Sequence, residues 1–336
     1  MKAARSLVVD ESDSGLRLDR WFHRHFPTLS HGRLQKLLRT GQVRVDGRRA
    51  DAGDRLASGQ VVRVPPFVDD APQPSARGDR TIDARDVEHI RALVIHRDSD
   101  VIALNKPAGL AVQGGSGTRT HIDGMLDGLR FDAAERPRLV HRLDRDTTGL
   151  LLIARSAAAA AKLGAAFRGR EAQKIYWAVV VGAPKPTSGR LDLSLAKRAG
   201  AARHGGEAMV VDQESGDRAI TDYRILDRAG RKAALLELRP LTGRTHQLRV
   251  HCQALGCPIL GDFKYGGEGA RIAGQEASPG LHLHARSIVL PHPRGGTLSL
   301  SAELPAEFKA TMAQLGFDAG EAGAAAPSLA RGGWQP

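Results

Sequence analysis

The chain has 336 residues, 41% of them hydrophobic and only 4% aromatic, with a formal net charge of +12 and a pI near 10.3. That length accommodates two domains and a sizeable core, and the charge points to a polyanionic partner, nucleic acid first. No apolar run is long enough for a membrane span, the opening MKAARSLVVDESDSG lacks a signal peptide's apolar centre, and Cys252 and Cys257 are not spaced as a CxxC pair, so the expectation is a cytoplasmic monomer with free thiols and no membrane partner.

Residues 16–66 read as a compact basic unit. Leu18, Trp21, Phe22 and Phe26 fall at helical spacing, and Pro27 ends that helix. Ser30 is a suitable N-cap for a second helix carrying Leu34, Leu37 and Leu38 on one face and Arg33, Lys36 and Arg39 on the other, with Gly41 just past its end. Val43-Arg44-Val45, an Asp46-Gly47 turn and Val61–Val64 then read as a small hairpin before Pro65-Pro66. Residues 1–66 hold 13 Lys/Arg against 7 Asp/Glu, half of the chain's net charge in about a fifth of its length. Cations Arg33, Lys36, Arg39 and Arg44 beside a hairpin suit an RNA phosphate backbone, supplying affinity more than sequence choice. The order LxLDRW, LSHGRLQKLLRTGQVRVDGRR and GQVVRVPP resembles an S4 RNA-binding domain across this whole unit.

Residues 67–87, rich in Pro, Asp, Gly and Arg, read as a linker. A larger domain over 88–317 opens with a hairpin, Leu93–Ile95 and Val101–Leu104 across Asp98-Ser99-Asp100, which runs into Asn105-Lys106-Pro107-Ala108-Gly109. The glycines at 114, 115 and 117 form no phosphate loop, since no GKS/T follows. Ser156 caps an alanine-rich helix that Gly169 can end, and Lys174–Val181 is a strong strand. Shorter strands follow at 191–195, 219–226, 233–238 and 281–290. Thr245 can cap a helix through His251 with Gly256 at its end, and Pro305 starts a last helix that stops near Gly316. The Ala/Gly/Pro-rich residues 318–336 read as disordered. Many short strands with a few helices, lacking strict alternation, indicate an α+β fold with a mixed, mainly antiparallel sheet.

Between Val140 and Leu150-Leu151-Leu152-Ile153 lies a charged block, His141-Arg142-Leu143-Asp144-Arg145-Asp146-Thr147-Thr148-Gly149. Two strand ends holding such a loop can present reactive groups, although a solvated turn would look the same on charge density alone. Histidines offer no metal set: His246 and His251 fall on different helix faces, and His282 and His284 lack a Cys or carboxylate company. A serine hydrolase is also disfavoured, because no G-x-S-x-G is present.

The charged block resembles the catalytic motif of the RluA family of RNA pseudouridine synthases. Leu104–Gly109 is similar to that family's NKPxG motif, Lys174-x-Tyr176-x-Ala178 to its K-x-Y-x-A strand, and Gly243–His251 with Leu255–Asp262 to GRTHQIRVH…LGxPIxGD. With an S4-like unit in front, the layout resembles the RluC/RluD branch, and Gln113–Ser116 and Pro65-Pro66 resemble the RluC type. The resemblance implies isomerisation of uridine to pseudouridine in structured RNA, most readily large-subunit ribosomal RNA, without cofactor or metal. It implies Asp144 as the catalytic residue, nucleophile or proton acceptor, paired with Arg249 or, second, Arg244. Tyr176 would lie on the uracil and could relay the C5 proton as a further catalytic residue, Arg142 would fill the space of the flipped base, and Lys174 and Lys106 would act as substrate-binding cations, on the RNA backbone or shaping the site. Asp146 takes a support role, and Thr147 and Thr148 can hydrogen-bond it or the loop backbone. A non-catalytic RNA-binding or ribosome-assembly factor is the alternative.

Overall fold

A computed structural model describes residues 4–26, 29, 31–66, 83–114, 120–201, 206–273 and 280–318. Ser30 as a cap, glycines 115 and 117, most of the 67–87 linker and all but Asp318 of the 318–336 tail lie outside them. The chain divides into two compact units, with the boundary between Thr81 and Ile82.

In the first unit, β1 (Arg5–Val8), β2 (Arg44–Val45), β3 (Arg48–Arg49) and β4 (Val61–Val64) form an antiparallel sheet ordered β1-β4-β2-β3. The Asp46-Gly47 turn, both residues at positive φ, joins β2 to β3, and β4 pairs the other side of β2. The expected two-strand hairpin is therefore the middle of a four-stranded sheet. α1 (Leu18–His25) and α2 (His31–Arg39) bury Leu18, Trp21, Phe22, Leu34 and Leu38 against Val43, Val62 and Val64. Lys36 and Arg39 stay exposed and Arg33 half-buried on the opposite side. Arg44 donates to the carbonyls of Gly41 and Gly47 at 3.3 and 3.1 Å, so it braces the turn while remaining exposed.

The second unit begins earlier than its sequence indicates. Asp83 accepts the Arg85 N–H and caps α3 (Ala84–Ala92), which occupies the end of the segment read as linker. The helix buries only Ile90, so its sequence shows charges rather than an apolar stripe. Eleven strands make one sheet, along the path β11 (Ala208–Val211), β10 (Ser188–Arg198), β12 (Asp217–Ala229), β13 (Ala233–Pro240), β9 (Gln173–Val181), β14 (Leu283–Pro291), β8 (Thr148–Ala154), β6 (Val101–Lys106) and β5 (Val94–Arg97). β15 (Thr297–Ser301) pairs β14, and β7 (Arg138–Leu139) pairs β8.

All these pairings are antiparallel except β14 with β8, where His284 faces Thr148 and Ala285 faces Gly149. β8 is buried at every position, as its unbroken apolar run requires of a strand covered on both faces. Burying each of Leu151, Leu152 and Ile153 is worth about 1.5–3 kcal/mol. α4 (Ile122–Met125) and α5 (Ala157–Arg168, capped by Ser156 onto the Ala159 N–H) cover this half of the sheet. α6 (Gln247–Ala254) covers the β10–β13 half, and α7 (Ala306–Leu315) places Phe308 against Trp177 and Leu235.

Candidate active site

The loop 141–149 is held at both ends and in its middle. At the entrance, His141 Nε2 accepts the Leu152 N–H of β8 at 2.8 Å, and its ring stacks on Phe167 of α5 at 4.5 Å. Burial, with Lys174 nearby, drives the imidazole pKa down to about 3, which keeps that nitrogen an acceptor. In the middle, the Lys106 ammonium has no exposed surface and donates to the carbonyls of Pro107, Leu110 and Arg145 at 2.8, 3.0 and 2.8 Å. Desolvation pulls its pKa to about 8, opposed by the charges of Asp146 and Asp144. Lys106 thus ties the 105–110 turn to the charged loop from below. With its ammonium spent on these carbonyls it is not placed to touch a substrate, which corrects the substrate-binding expectation and leaves the site-shaping one.

At the exit, Thr148 does not serve Asp146. Its hydroxyl lies 2.8 Å from His284 Nδ1, while His284 Nε2 lies 3.2 Å from the Ala302 carbonyl, which can only accept. Nε2 therefore carries the ring proton and Thr148 donates to Nδ1, consistent with an imidazole held neutral by burial at a pKa of about 4. Gly149, at φ +104°, runs so close to β14 that a Cβ would stand 2.3 Å from the Ala285 oxygen. Only glycine fits there.

Above the loop is a cleft of about 1060 Å³. Arg142 and Asp144 come from the loop, Lys174 and Tyr176 from β9, Asp222 and Arg239 from β12 and β13, and residues 244–249 from the α6 turn. With Arg168 and Arg170, seven cations face two carboxylates, a lining suited to a phosphate-bearing substrate. Arg142 is exposed and makes no hydrogen bond or ion pair among the described residues, so it is available to a ligand. Tyr176 is half-buried; burial and the Asp144 charge push its phenol far upward, so it faces the cleft as a neutral ring. Lys174 is shifted downward by burial.

Asp144 does not pair directly with the expected arginines. Arg249 is clamped by Asp262 through Nε and Nη2 at 2.8 and 2.6 Å, with both side chains buried. Arg244 instead reaches the Arg218 carbonyl and Asp217 at 3.3 and 3.2 Å. The ion-pair neighbour of Asp144 within 4.0 Å, among the described residues, is His246, with Nε2 3.9 Å from Oδ1. The Asp144 charge still acts on Arg249, where it adds to Asp262 in stabilising the guanidinium.

His246, not Thr245, is the N-cap of α6, in a left-handed conformation at φ 53°. Gln247 fixes this turn: its amide donates to the Ile220 carbonyl and Thr221 hydroxyl and accepts from Thr242 and the Arg244 N–H. His246, Asp262 and Tyr265 were not singled out as site residues from the sequence. Asp262 falls at the end of the segment similar to LGxPIxGD, but nothing local joins it to Arg249. His282 and His284 are used inside the core, His282 between the Gly280 carbonyl and the Thr311 hydroxyl.

A carboxylate in a cation-lined cleft on a mixed sheet suits an enzyme that acts on a phosphate-bearing polymer such as nucleic acid. An RNA pseudouridylate synthase family model matches residues 100–254. RNA pseudouridine synthase 4, mitochondrial, of Arabidopsis thaliana is 36% identical over 81% of this chain and 70% of its own length. Ribosomal large subunit pseudouridine synthase C of Rickettsia typhi is 36% identical over 87% of this chain and 95% of its own. Human RNA pseudouridylate synthase domain containing 4 superposes with a TM-score of 0.57 at 30% identity, covering 69% of this chain and 97% of that one. The chain belongs to the RNA pseudouridine synthase family and is an isomerase of that class. Among the described residues, no helix is long and apolar enough to cross a membrane.

Proposed function

We propose that this protein converts uridines of large-subunit ribosomal RNA to pseudouridine, with Asp144 as the catalytic residue. The observation that carries the reading is a cleft lined by Asp144 in which seven cations meet the neutral Tyr176 ring. Relatives named as ribosomal large subunit pseudouridine synthases, from Rickettsia typhi and Vibrio vulnificus among others, support ribosomal RNA as the substrate.

The chemistry fits the residues present. The N1–C1′ bond breaks, the uracil turns, C5 bonds to C1′, and the C5 proton is replaced by one on N1. The reaction is internal to one nucleotide, so we propose neither a cofactor nor a metal. The base must leave the helix to be reached, and unstacking is repaid by contacts in the pocket. Tyr176 offers the uracil a flat apolar face, and the exposed Arg142 takes the space vacated in the RNA. Arg244, Lys174 and Arg249 supply positive potential to the flanking phosphates and to Asp144. The protein acts as a monomer, and its first unit, S4-like in its motifs, anchors neighbouring RNA through Arg33, Lys36, Arg39 and Arg44.

The test is to incubate unmodified ribosomal RNA with wild type and with Asp144→Asn, then map pseudouridine. Wild type forms it at discrete positions and Asp144→Asn forms none. Formation at the wild-type rate by Asp144→Asn removes the catalytic assignment. Its absence with wild type on every ribosomal RNA removes the substrate.

A further inference from the structure

The one ion-pair neighbour of Asp144 within 4.0 Å among the described residues is a histidine, not an arginine. His246 Nε2 stands 3.9 Å from Oδ1. The opposite ring nitrogen, Nδ1, lies 2.6 Å from the Tyr265 hydroxyl oxygen. That oxygen already accepts the Met209 backbone N–H at 3.2 Å. A phenol that accepts from an amide has its own hydrogen to give, and the close neighbour able to take it is Nδ1. With the phenol donating to Nδ1, the neutral imidazole carries its hydrogen on Nε2, the nitrogen that stands 3.9 Å from the Asp144 carboxylate.

The surroundings hold this orientation. The Tyr265 ring meets His246 edge-on, at 5.5 Å and 80°, and the Arg249 guanidinium lies 5.0 Å from the Tyr265 ring centre. Asp262, which clamps Arg249, also accepts the Tyr265 N–H at 3.4 Å. The four side chains therefore form one connected wall ending at His246. The backbone contributes as well: His246 adopts a left-handed conformation that few non-glycine residues take, and the surrounding contacts hold it there. A separation of 3.9 Å exceeds a hydrogen bond, but hydrogen bonds at reacting groups are often long without substrate and tighten when it binds.

We propose that His246 is a positioning residue for Asp144. Its Nε2–H, with the tautomer set by Tyr265, holds Oδ1 and leaves Oδ2 to face the flipped uridine. The proposal rests on the reading of Asp144 as the catalytic residue. It does not involve proton transfer from His246 or contact between His246 and RNA.

The experiment measures single-turnover pseudouridine formation at saturating ribosomal RNA, and RNA affinity separately, for wild type, Asp144→Asn, His246→Gly, His246→Gln and Tyr265→Phe. Glycine removes the imidazole while suiting the left-handed backbone, so that variant retains its fold. Glutamine restores an N–H donor at a reach close to that of Nε2. We expect His246→Gly to slow the reaction about 10- to 100-fold, the loss of one hydrogen bond to a charged group, with RNA affinity unchanged. His246→Gln should recover to within about 3-fold of wild type, and Tyr265→Phe, which frees the tautomer, should fall between the two. A wild-type rate for His246→Gly overturns the proposal, as does a His246→Gln variant no faster than the glycine one. Should Asp144→Asn be as fast as wild type, the underlying reading fails and the proposal with it. An inactive Asp144→Asn beside a fully active His246→Gly sinks the His246 role alone.

Discussion

Arg249 grips Asp262 through two parallel hydrogen bonds, 2.8 and 2.6 Å long, and this pair, buried on both sides, fixes the guanidinium beside the cleft. Asp144 therefore sits near a cation whose charge is already half committed. Removing one partner of such a pair strands the other. Asp262→Ala is expected to destabilise the second unit by about 3–5 kcal/mol, with Asp262→Asn costing less because an amide keeps one acceptor. Urea unfolding checks this, and a loss below about 1 kcal/mol for the alanine variant would show that the pair is solvated after all.

Lys106 is expected to behave as part of the scaffold rather than as an RNA contact. Three backbone carbonyls converge on its ammonium, and Lys106→Met leaves all three without a donor. A fully buried orphaned acceptor costs about 1–3 kcal/mol, and water can reach these part-buried carbonyls in some measure, so the variant should lose about 1–3 kcal/mol in all. Released from Arg145, the loop no longer holds Asp144 in place. Single-turnover rate should fall with little change in RNA affinity, and the reverse pattern would return Lys106 to the substrate.

Legibility in the sequence followed how local each signal is. The Ser156 cap, the α5 alanines and the β9 and β13 apolar runs are local, and they place these elements within a few residues. α3 escaped because a helix burying only Ile90 leaves no stripe, and β1 because its side chains are mostly exposed. At the site, motif order brings Arg142, Asp144, Lys174, Tyr176, Arg244 and Arg249 to one cleft, as expected from the resemblance. Pairing within the cleft is different. Asp262 lies 13 residues from Arg249, and only the fold decides that it, not Asp144, meets the guanidinium. A lysine buried against main-chain oxygens has no side-chain partner to read at all.

Two glycines at positive φ separate strain from clash. Gly109, at φ +80°, has open space where a Cβ would stand, whereas the Cβ of an alanine at 149 would meet the Ala285 backbone at 2.3 Å. Gly109→Ala is expected to cost about 1–2 kcal/mol from its left-handed backbone alone. Gly149→Ala must also push β14 from β8 and should cost more than twice that, or fail to fold. Equal melting temperatures for the two variants would contradict the close approach.

Acid should destabilise the second unit before its carboxylates titrate. His251 and His284 are at most 1% exposed, and burial lowers both from the usual 6.5 to about 4. Below pH 6.5 the unfolded chain takes up protons that the folded chain does not. The stability tied to these residues is thus fully present above pH 6.5 and is lost as pH falls toward 4, by about 2 kcal/mol for each histidine at pH 5. Neither ring nitrogen of His251 has a hydrogen-bond partner among the described residues, so His251→Leu removes a titration without breaking a bond. Its stability should fall by about one proton's slope less between pH 6.5 and 4. An unchanged slope would mean that His251 titrates alike in both states.

The first unit should show its role in salt dependence more than in sequence choice. Lys36 and Arg39 are exposed on α2, opposite the leucines that bury it, with Arg33 one turn earlier on the same side. Cations that neutralise RNA phosphates release condensed counterions, so each contact adds to the slope of log affinity against log salt. Replacing Arg33, Lys36 and Arg39 together with alanine should lower that slope by about 2 to 3 and weaken binding similarly across ribosomal RNA fragments of different sequence. The pseudouridine pattern at saturating enzyme should stay the same, because the reacting cleft lies in the second unit. An unchanged slope would leave these cations without a part in RNA binding, and a changed modification pattern would make the first unit a determinant of which uridine is chosen.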